Sequence, residues 1–319
     1  MRRPAAGGPG AHRDRDRSEL ELQSSDAPRR PRTAERRRHG FSYFVAAGGS
    51  NPPGPALRTQ EAPDRIHAAI MQTIELIDNR QASDRLHVLR FKKPQNFTFQ
   101  AGQFARLGLE DGDGREPVFR AYSIASAPDA ETLDFFITNV QDGKLSPRMT
   151  SLKAGDKVLL DGEGQGNLLP RRIPGGETLW LLATGSGLSP FASILNDPKT
   201  WEGWQDVVLV LSVRKAEDAV LARELSQKRF HGHAARVFVT ATREENPDAP
   251  VELRGRIPAL IASGELERVV GAALTPEKAR VLLCGSPDFI ADARAELKKR
   301  GIVSPRLGKP GQLVAENFW

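Results

Sequence analysis

The chain has a single cysteine, Cys284, among 319 residues. No internal disulfide is open to it, and neither is a four-cysteine iron–sulfur cluster. It also lacks any apolar run of the roughly eighteen residues that a membrane-crossing helix needs, so no membrane association is expected. Lysine is missing from the first 70 residues, which hold 13 arginines against 8 acidic side chains. That segment carries most of the formal charge of +6, because the rest of the chain has 33 basic and 32 acidic side chains. The sequence pI near 9.6 is therefore largely a property of the front of the chain.

The front segment is rich in Arg, Pro, Gly and Ala and shows little helical or strand periodicity. It has too little apolar surface to bury against the entropy of ordering the chain, which predicts a disordered extension over residues 1–70. Its aromatic residues are confined to Phe41, Tyr43 and Phe44, weak grounds for a nucleic-acid arm, and no nucleic-acid partner is expected. The acids Asp14, Asp16, Glu19 and Glu21 speak against a transit peptide. Arg2-Arg3 is not followed by the apolar core of a twin-Arg export signal. A cytoplasmic location is expected. Met71 stands directly before the first strand-like run, and arginine without lysine is what a GC-rich upstream reading would give. A start codon placed too early is thus a second reading of this segment.

From Met71 onward two rhythms follow one another. Residues 72–78, 86–91, 103–109, 119–125, 133–140 and 157–161 read as short strands with Gly, Pro, Asn and Asp between them. Six such strands fit a small antiparallel barrel, with a short helix over 146–152. After Pro174 strands and helices alternate: strands at 178–183, 206–212, 236–240 and 280–284, helices at 188–195, 219–229, 257–263 and 287–300. That alternation predicts an α/β domain with a doubly wound parallel sheet, whose ligands bind at the carboxyl ends of its strands.

Several residue groups point to chemistry. Arg120-Ala121-Tyr122-Ser123 sets a cation, a ring and a hydroxyl on one β-prone stretch. Alternation sends Arg120 and Tyr122 to one face and Ser123 to the other. Such a set suits a flavin nucleotide, which needs a guanidinium for its pyrophosphate, a flat ring for its isoalloxazine and a small donor near N5. An exposed sheet edge is the plain alternative. Lys144, Leu145 and Ser146 run from a hairpin turn into a helix, and the same exposed amides can bind an anion. Thr184-Gly185-Ser186-Gly187 lies between a strand and a helix, the setting of a nucleotide loop, without the full dinucleotide spacing. Arg214, Arg243 and Arg256 fall on or beside loops at the ligand end of the second domain. Guanidinium groups suit a ribose 2′-phosphate, and no acid ends the second strand there, as an NAD site would favour. Three solvated surface arginines is the alternative. Cys284 stands at the end of the last expected strand, before Gly285, where a single cysteine is most often a packing residue.

Read in order, Arg120 to Ser123, Asp142 to Arg148, Ala183 to Pro190, Cys284-Gly285-Ser286-Pro287 and the final Ala315-Glu316-Asn317-Phe318-Trp319 resemble the bacterial ferredoxin (flavodoxin)–NADP reductases of the plant-type FAD reductase superfamily. The resemblance covers about residues 71 to 319. It implies an FAD-binding barrel domain over 71–172 and an NADP-binding domain over 173–319. FAD would be held by Arg120, Tyr122 and Ser123 and by the loop of Lys144, Leu145 and Ser146. NADP(H) would lie on Thr184 and Gly185, its 2′-phosphate among Arg214, Arg243 and Arg256. Ser123 would donate towards flavin N5, Cys284 would position the nicotinamide, and Glu316 would help relay protons. Phe318 is expected on the flavin face opposite Tyr122, and Trp319 against the adenine of FAD. No metal is implied.

The implied activity is an oxidoreductase reaction: hydride passes between NADPH and FAD N5, and single electrons are exchanged with ferredoxin or flavodoxin. A reductase component serving an oxygenase or another acceptor, and a flavin redox sensor without efficient turnover, are the two alternatives. An acidic carrier protein calls for a basic face. Lys298, Lys299, Arg300, Arg306 and Lys309 are the candidates for it, a solvated helix face being the other reading.

Overall fold

The computed structural model describes residues 71–111 and 116–317. The expectations for residues 1–70, and those for Phe318 and Trp319, lie outside the described residues. The first half consists of β1 (Met71–Gln81), β2 (Leu86–Lys92), β3 (Phe104–Leu109), β4 (Val118–Ser123), β5 (Thr132–Thr138), a short helix α1 (Ser146–Thr150) and β6 (Lys157–Gln165). All its pairings are antiparallel, in the order β4-β3-β6-β1-β2-β5. The two edges meet where Ile124 bridges Phe135 and the Ala125 amide donates to the Asp134 carbonyl at 2.7 Å. β5 shows why the sheet closes. Leu133, Phe135 and Ile137 are buried while every second residue is only partly so, the period-2 pattern of a strand with one face on a core. Phe91 meets Phe135 edge-on inside that core, ring centres 5.9 Å apart.

The second half consists of β7 (Thr178–Thr184), α2 (Ser189–Asn196), β8 (Asp206–Val213), α3 (Val220–Gln227), β9 (Arg236–Ala241), β10 (Leu253–Arg254), α4 (Ile257–Ser263), α5 (Glu265–Val270), β11 (Ala279–Gly285), α6 (Pro287–Lys299) and β12 (Leu313–Asn317). Its strands are all parallel, in the order β10-β9-β8-β7-β11-β12. β7 and β8 are almost unbroken apolar runs because helices cover both their faces. Side chains of α2 and α3 fill one face, and those of α4, α5 and α6 fill the other. On the α2–α3 face the core continues into the barrel through Val88, Ala101, Ala125 and Leu168. Arg80 of β1 adds a two-pronged pair to Glu224 of α3, both bonds 2.9 Å.

Among the strands and α-helices, three have no counterpart in the sequence pattern: the two-residue β10, the six-residue α5, and β12. The path of the chain matters most for function. It winds from β7 outward through β8, β9 and β10, then crosses back to β11 and β12 on the other side of β7. The order therefore reverses at β7, and a crevice opens outside the carboxyl ends of β7 and β11.

Candidate active site

At that crevice the chain turns out of β7 into a 3-10 turn, Gly185–Leu188, that leads into α2. The turn fits only because Gly187, and Gly285 across from it, lack side chains. A Cβ on Gly187 would stand 2.3 Å from the Cys284 carbonyl oxygen, and one on Gly285 would stand 2.1 Å from Thr184 Oγ1. The two strand ends are thus in direct backbone contact, and the Ser286 amide donates to Thr184 Oγ1 at 3.3 Å. Ser286 in turn caps α6 by accepting from the Phe289 amide. The amino ends of α2 and α6 both face the crevice, an arrangement that favours anions.

The crevice widens into a cleft of about 730 Å³ lined by Thr184, Gly185, Ser186, Arg214, Arg243 and Arg256, among others. The three arginines proposed from sequence therefore do share one site. Arg214 leaves β8 and Arg243 follows β9; the Arg243 amide donates to the Arg214 carbonyl at 2.8 Å, which holds them side by side. Glu244, the acid nearest in sequence, is turned away into its own loop. Its carboxylate accepts from the amides of Ala216 (2.9 Å) and Asn246 (3.1 Å), and these bonds hold it below the usual carboxylate pKa. Among the described residues Arg243 makes no ion pair, with Glu244 or with any other acid.

At the barrel, Arg120 and Tyr122 share one face of β4, opposite Leu107 and Ala105 of β3, and Ser123 points the other way. Arg120 is exposed, and among the described residues its guanidinium donates one hydrogen bond, to the neighbouring Phe119 carbonyl at 2.7 Å. Tyr122 is half-buried, and burial pushes its phenol up to about 12, so the ring presents a neutral hydroxyl. Ser123 Oγ is buried without a hydrogen-bond partner. In the loop before α1, Leu145 packs its side chain into the barrel core, so only its backbone is free to act. Ser146 is the first helical residue and not the cap; its hydroxyl accepts from the Val140 amide at 3.1 Å and closes the loop. Among the described residues the amides of Lys144, Leu145 and Ser146 have no acceptor.

Cys284 and Glu316 meet only through the sheet, as register partners on β11 and β12. Burial, and then the nearby Glu316 carboxylate, push the Cys284 thiol well above its ordinary pKa. It is a neutral packing and contact group at neutral pH. Burial raises Glu316 from an ordinary 4.5 to about 7, opposed by a hydrogen bond from the Asn167 amide. Glu316 Oε2 is buried without a partner. Of the four buried side-chain polar atoms left unpaired among the described residues, two are thus Ser123 Oγ and Glu316 Oε2. Unmet buried donors and acceptors are costly unless a ligand completes them. Together with the free loop amides and the arginine-lined cleft, they fit a flavin nucleotide beside a phosphorylated dinucleotide.

The proposed basic face does not adjoin this site. α6 starts at the crevice and runs away from it for 13 residues, about 20 Å, which puts Lys298, Lys299 and Arg300 at the far end. Arg306 and Lys309 precede β12, whose first residue pairs near the start of β11, and so lie at that same end. Lys299 is paired with Glu296 at 2.7 Å and Arg300 with Glu267. Sequence spacing could not reveal this, since the direction of a crossover helix is a property of the sheet. In the other direction, the cleft is also lined by Ser83 and Arg85 of the β1–β2 turn and by Asn139 and Gln141 after β5. No motif marks these residues; the barrel brings them to the second domain.

Residues 73–168 match the oxidoreductase FAD-binding domain family, and residues 181–295 match the oxidoreductase NAD-binding domain family. The chain is 42% identical over 226 residues to a flavodoxin/ferredoxin–NADP reductase of Escherichia coli (strain K12), covering 69% of this chain and 88% of that one. It is 36% identical over 243 residues to ferredoxin–NADP reductase A of Sorangium cellulosum, covering 73% and 85%. A crystal structure of a ferredoxin NADP+ reductase from Neisseria gonorrhoeae with bound FAD and NADP superposes with a TM-score of 0.73 at 34% identity, over 79% of this chain and 100% of that one.

Proposed function

The chain belongs to the flavodoxin/ferredoxin–NADP reductase family, and from that membership we propose how its residues divide the work of an FAD-dependent NADP(H) reductase. Bound FAD supplies what side chains lack, the ability to take two electrons together from a nicotinamide and to release them singly. Arg120 pairs with the flavin pyrophosphate, helped by the free amides of Lys144, Leu145 and Ser146. Tyr122 lays its ring along the isoalloxazine, and Ser123 Oγ donates towards N5. Thr184 and Gly185 carry the nicotinamide nucleotide, and Arg214, Arg243 and Arg256 bind its 2′-phosphate. Cys284, neutral and packed in place, limits where the nicotinamide ring can sit. Glu316 holds a proton near neutral pH and can exchange it with Ser123. Phe318 and Trp319 cover the flavin and its adenine. In this reading residues 71–172 bind FAD and residues 173–319 bind NADP(H).

The observation that carries the reading is the gathering of Thr184, Gly185 and three arginines into one cleft at the switch point of the parallel sheet. The protein partner is a ferredoxin or a flavodoxin, in the cytoplasm; among the described residues no helix is long and apolar enough to cross a membrane. The test is rapid-mixing reduction of the purified yellow holoenzyme by NADPH and by NADH, then reoxidation by a panel of ferredoxins and flavodoxins. Fast reduction by NADPH and reoxidation by at least one carrier is expected. Reduction with no carrier response would favour a different acceptor, and a yellow protein that NADPH does not reduce would favour a sensor.

A further inference from the structure

We propose that Arg85, in the turn joining β1 to β2, is a fourth cation of the cleft and binds the pyrophosphate bridge of NADP(H), so that the dinucleotide is held from both halves of the molecule. The inference rests on the cleft being the nucleotide site and adds a ligand from the barrel side. Arg85 is exposed and lines the same cleft as Thr184, Ser186 and the three arginines. The other arginines of this hairpin are satisfied: Arg80 pairs with Glu224 at 2.9 Å and Arg90 with Asp134 at 2.7 Å. Among the described residues Arg85 has no ion pair and no side-chain hydrogen bond. A guanidinium left free between two satisfied neighbours, facing a cleft, is available for an anion.

The turn is also fixed in place. The amides of Ala82 and Ser83 donate to the Leu86 carbonyl at 2.7 and 3.2 Å, and the Leu86 amide donates back to the Ser83 carbonyl at 3.3 Å. Ser83 Oγ reaches across to Asp218 Oδ1 at 3.5 Å. The Arg85 carbonyl accepts from the Asn139 amide at 2.7 Å, which ties it to the end of β5, and β5 packs on the Gly185–Leu188 turn. That turn lies at the switch point, where a pyrophosphate meets the helix amino end. Arg214 and Arg243 instead follow β8 and β9, one and two strands away, about 5 and 10 Å along the sheet. The geometry thus assigns Arg85 to the pyrophosphate and leaves the 2′-phosphate to the others. Three acids, Asp218, Asp288 and Asp292, also line the cleft; Arg214, Arg243 and Arg256 only balance them, and Arg85 is the cation that makes the lining net positive.

The test is equilibrium titration of the oxidised holoenzyme with NADP+ and with 2′-AMP, which carries the 2′-phosphate but no pyrophosphate. Arg85→Ala is expected to weaken NADP+ about tenfold, to leave 2′-AMP and the FAD content unchanged, and to be largely rescued by Arg85→Lys. Arg243→Ala, in contrast, is expected to weaken both. An unchanged dissociation constant for NADP+ in Arg85→Ala would overturn the proposal, as would an equal loss for 2′-AMP or a loss of FAD. Wild-type protein that binds neither nucleotide would sink the underlying reading of the cleft instead, which separates the two failures.

Discussion

Glu316→Gln should change how stability depends on pH, and the structure sets the size. Burial raises the Glu316 carboxyl from 4.5 to about 7. A group that holds its proton more tightly when folded stabilises the fold at low pH, and that contribution disappears as pH rises through the folded value. The window here runs from about pH 4.5 to pH 7, the reverse of an ordinary salt-bridged carboxylate. A shift of this size corresponds to about 3.4 kcal/mol if the site were dry. Glu316 is only partly buried, and solvent screening reduces the figure to roughly 1–2 kcal/mol. The assay is urea unfolding of the holoenzyme at pH 5 and pH 8.5, with FAD held at one saturating concentration because bound ligand itself stabilises. Wild type should lose roughly 1–2 kcal/mol more than Glu316→Gln over that interval. Parallel pH dependences of the two proteins would mean that Glu316 is solvated and ionised throughout, and the buried-proton argument would be wrong.

Tyr122→Ala should release FAD on gel filtration, since it removes the half-buried ring proposed to lie on the isoalloxazine; flavin content equal to wild type would refute that placement. Cys284, fully buried and with a raised thiol pKa, should resist iodoacetamide in the native enzyme at pH 8 and react fully in denaturant, and fast native labelling would refute its burial. Arg243→Ala should raise KM for NADPH roughly tenfold or more, from the loss of about 1.5–3 kcal/mol of charge-assisted bonding, and leave NADH nearly unaffected. Equal losses with both nucleotides would remove Arg243 from the 2′-phosphate site.

Much of this protein is written locally, and that part was legible in the sequence. The period-2 burial of Leu133, Phe135 and Ile137 in β5 and the unbroken apolar runs of β7 and β8 are direct consequences of one-sided and two-sided burial, so the barrel and the parallel sheet could both be inferred. Arg120, Tyr122 and Ser123, and likewise Thr184 and Gly185, sit within a few residues of each other, so bringing each group together needs only a strand or a turn. β12 is not legible in the sequence because a five-residue edge strand after a Gly- and Pro-rich stretch has little pattern of its own; its existence depends on β11 beside it. α5 is six residues between Gly264 and Gly271, too short to show a periodic face.

What the tertiary structure alone decided are the relations between distant segments. Parallel register places Glu316 against Cys284, burying the cysteine fully and the glutamate in part, and that burial is what shifts their protons. The hand and direction of the crossover carry the cations at the end of α6 away from the crevice, although in sequence they lie close to Glu316. Closure of the barrel against α2 and α3 brings Arg85 to the cleft, where no residue near it in sequence hints at a ligand. Composition and periodicity record how each segment buries its own apolar surface. Which charged groups face one another depends on how those buried faces stack, and that is settled only when the whole chain has packed.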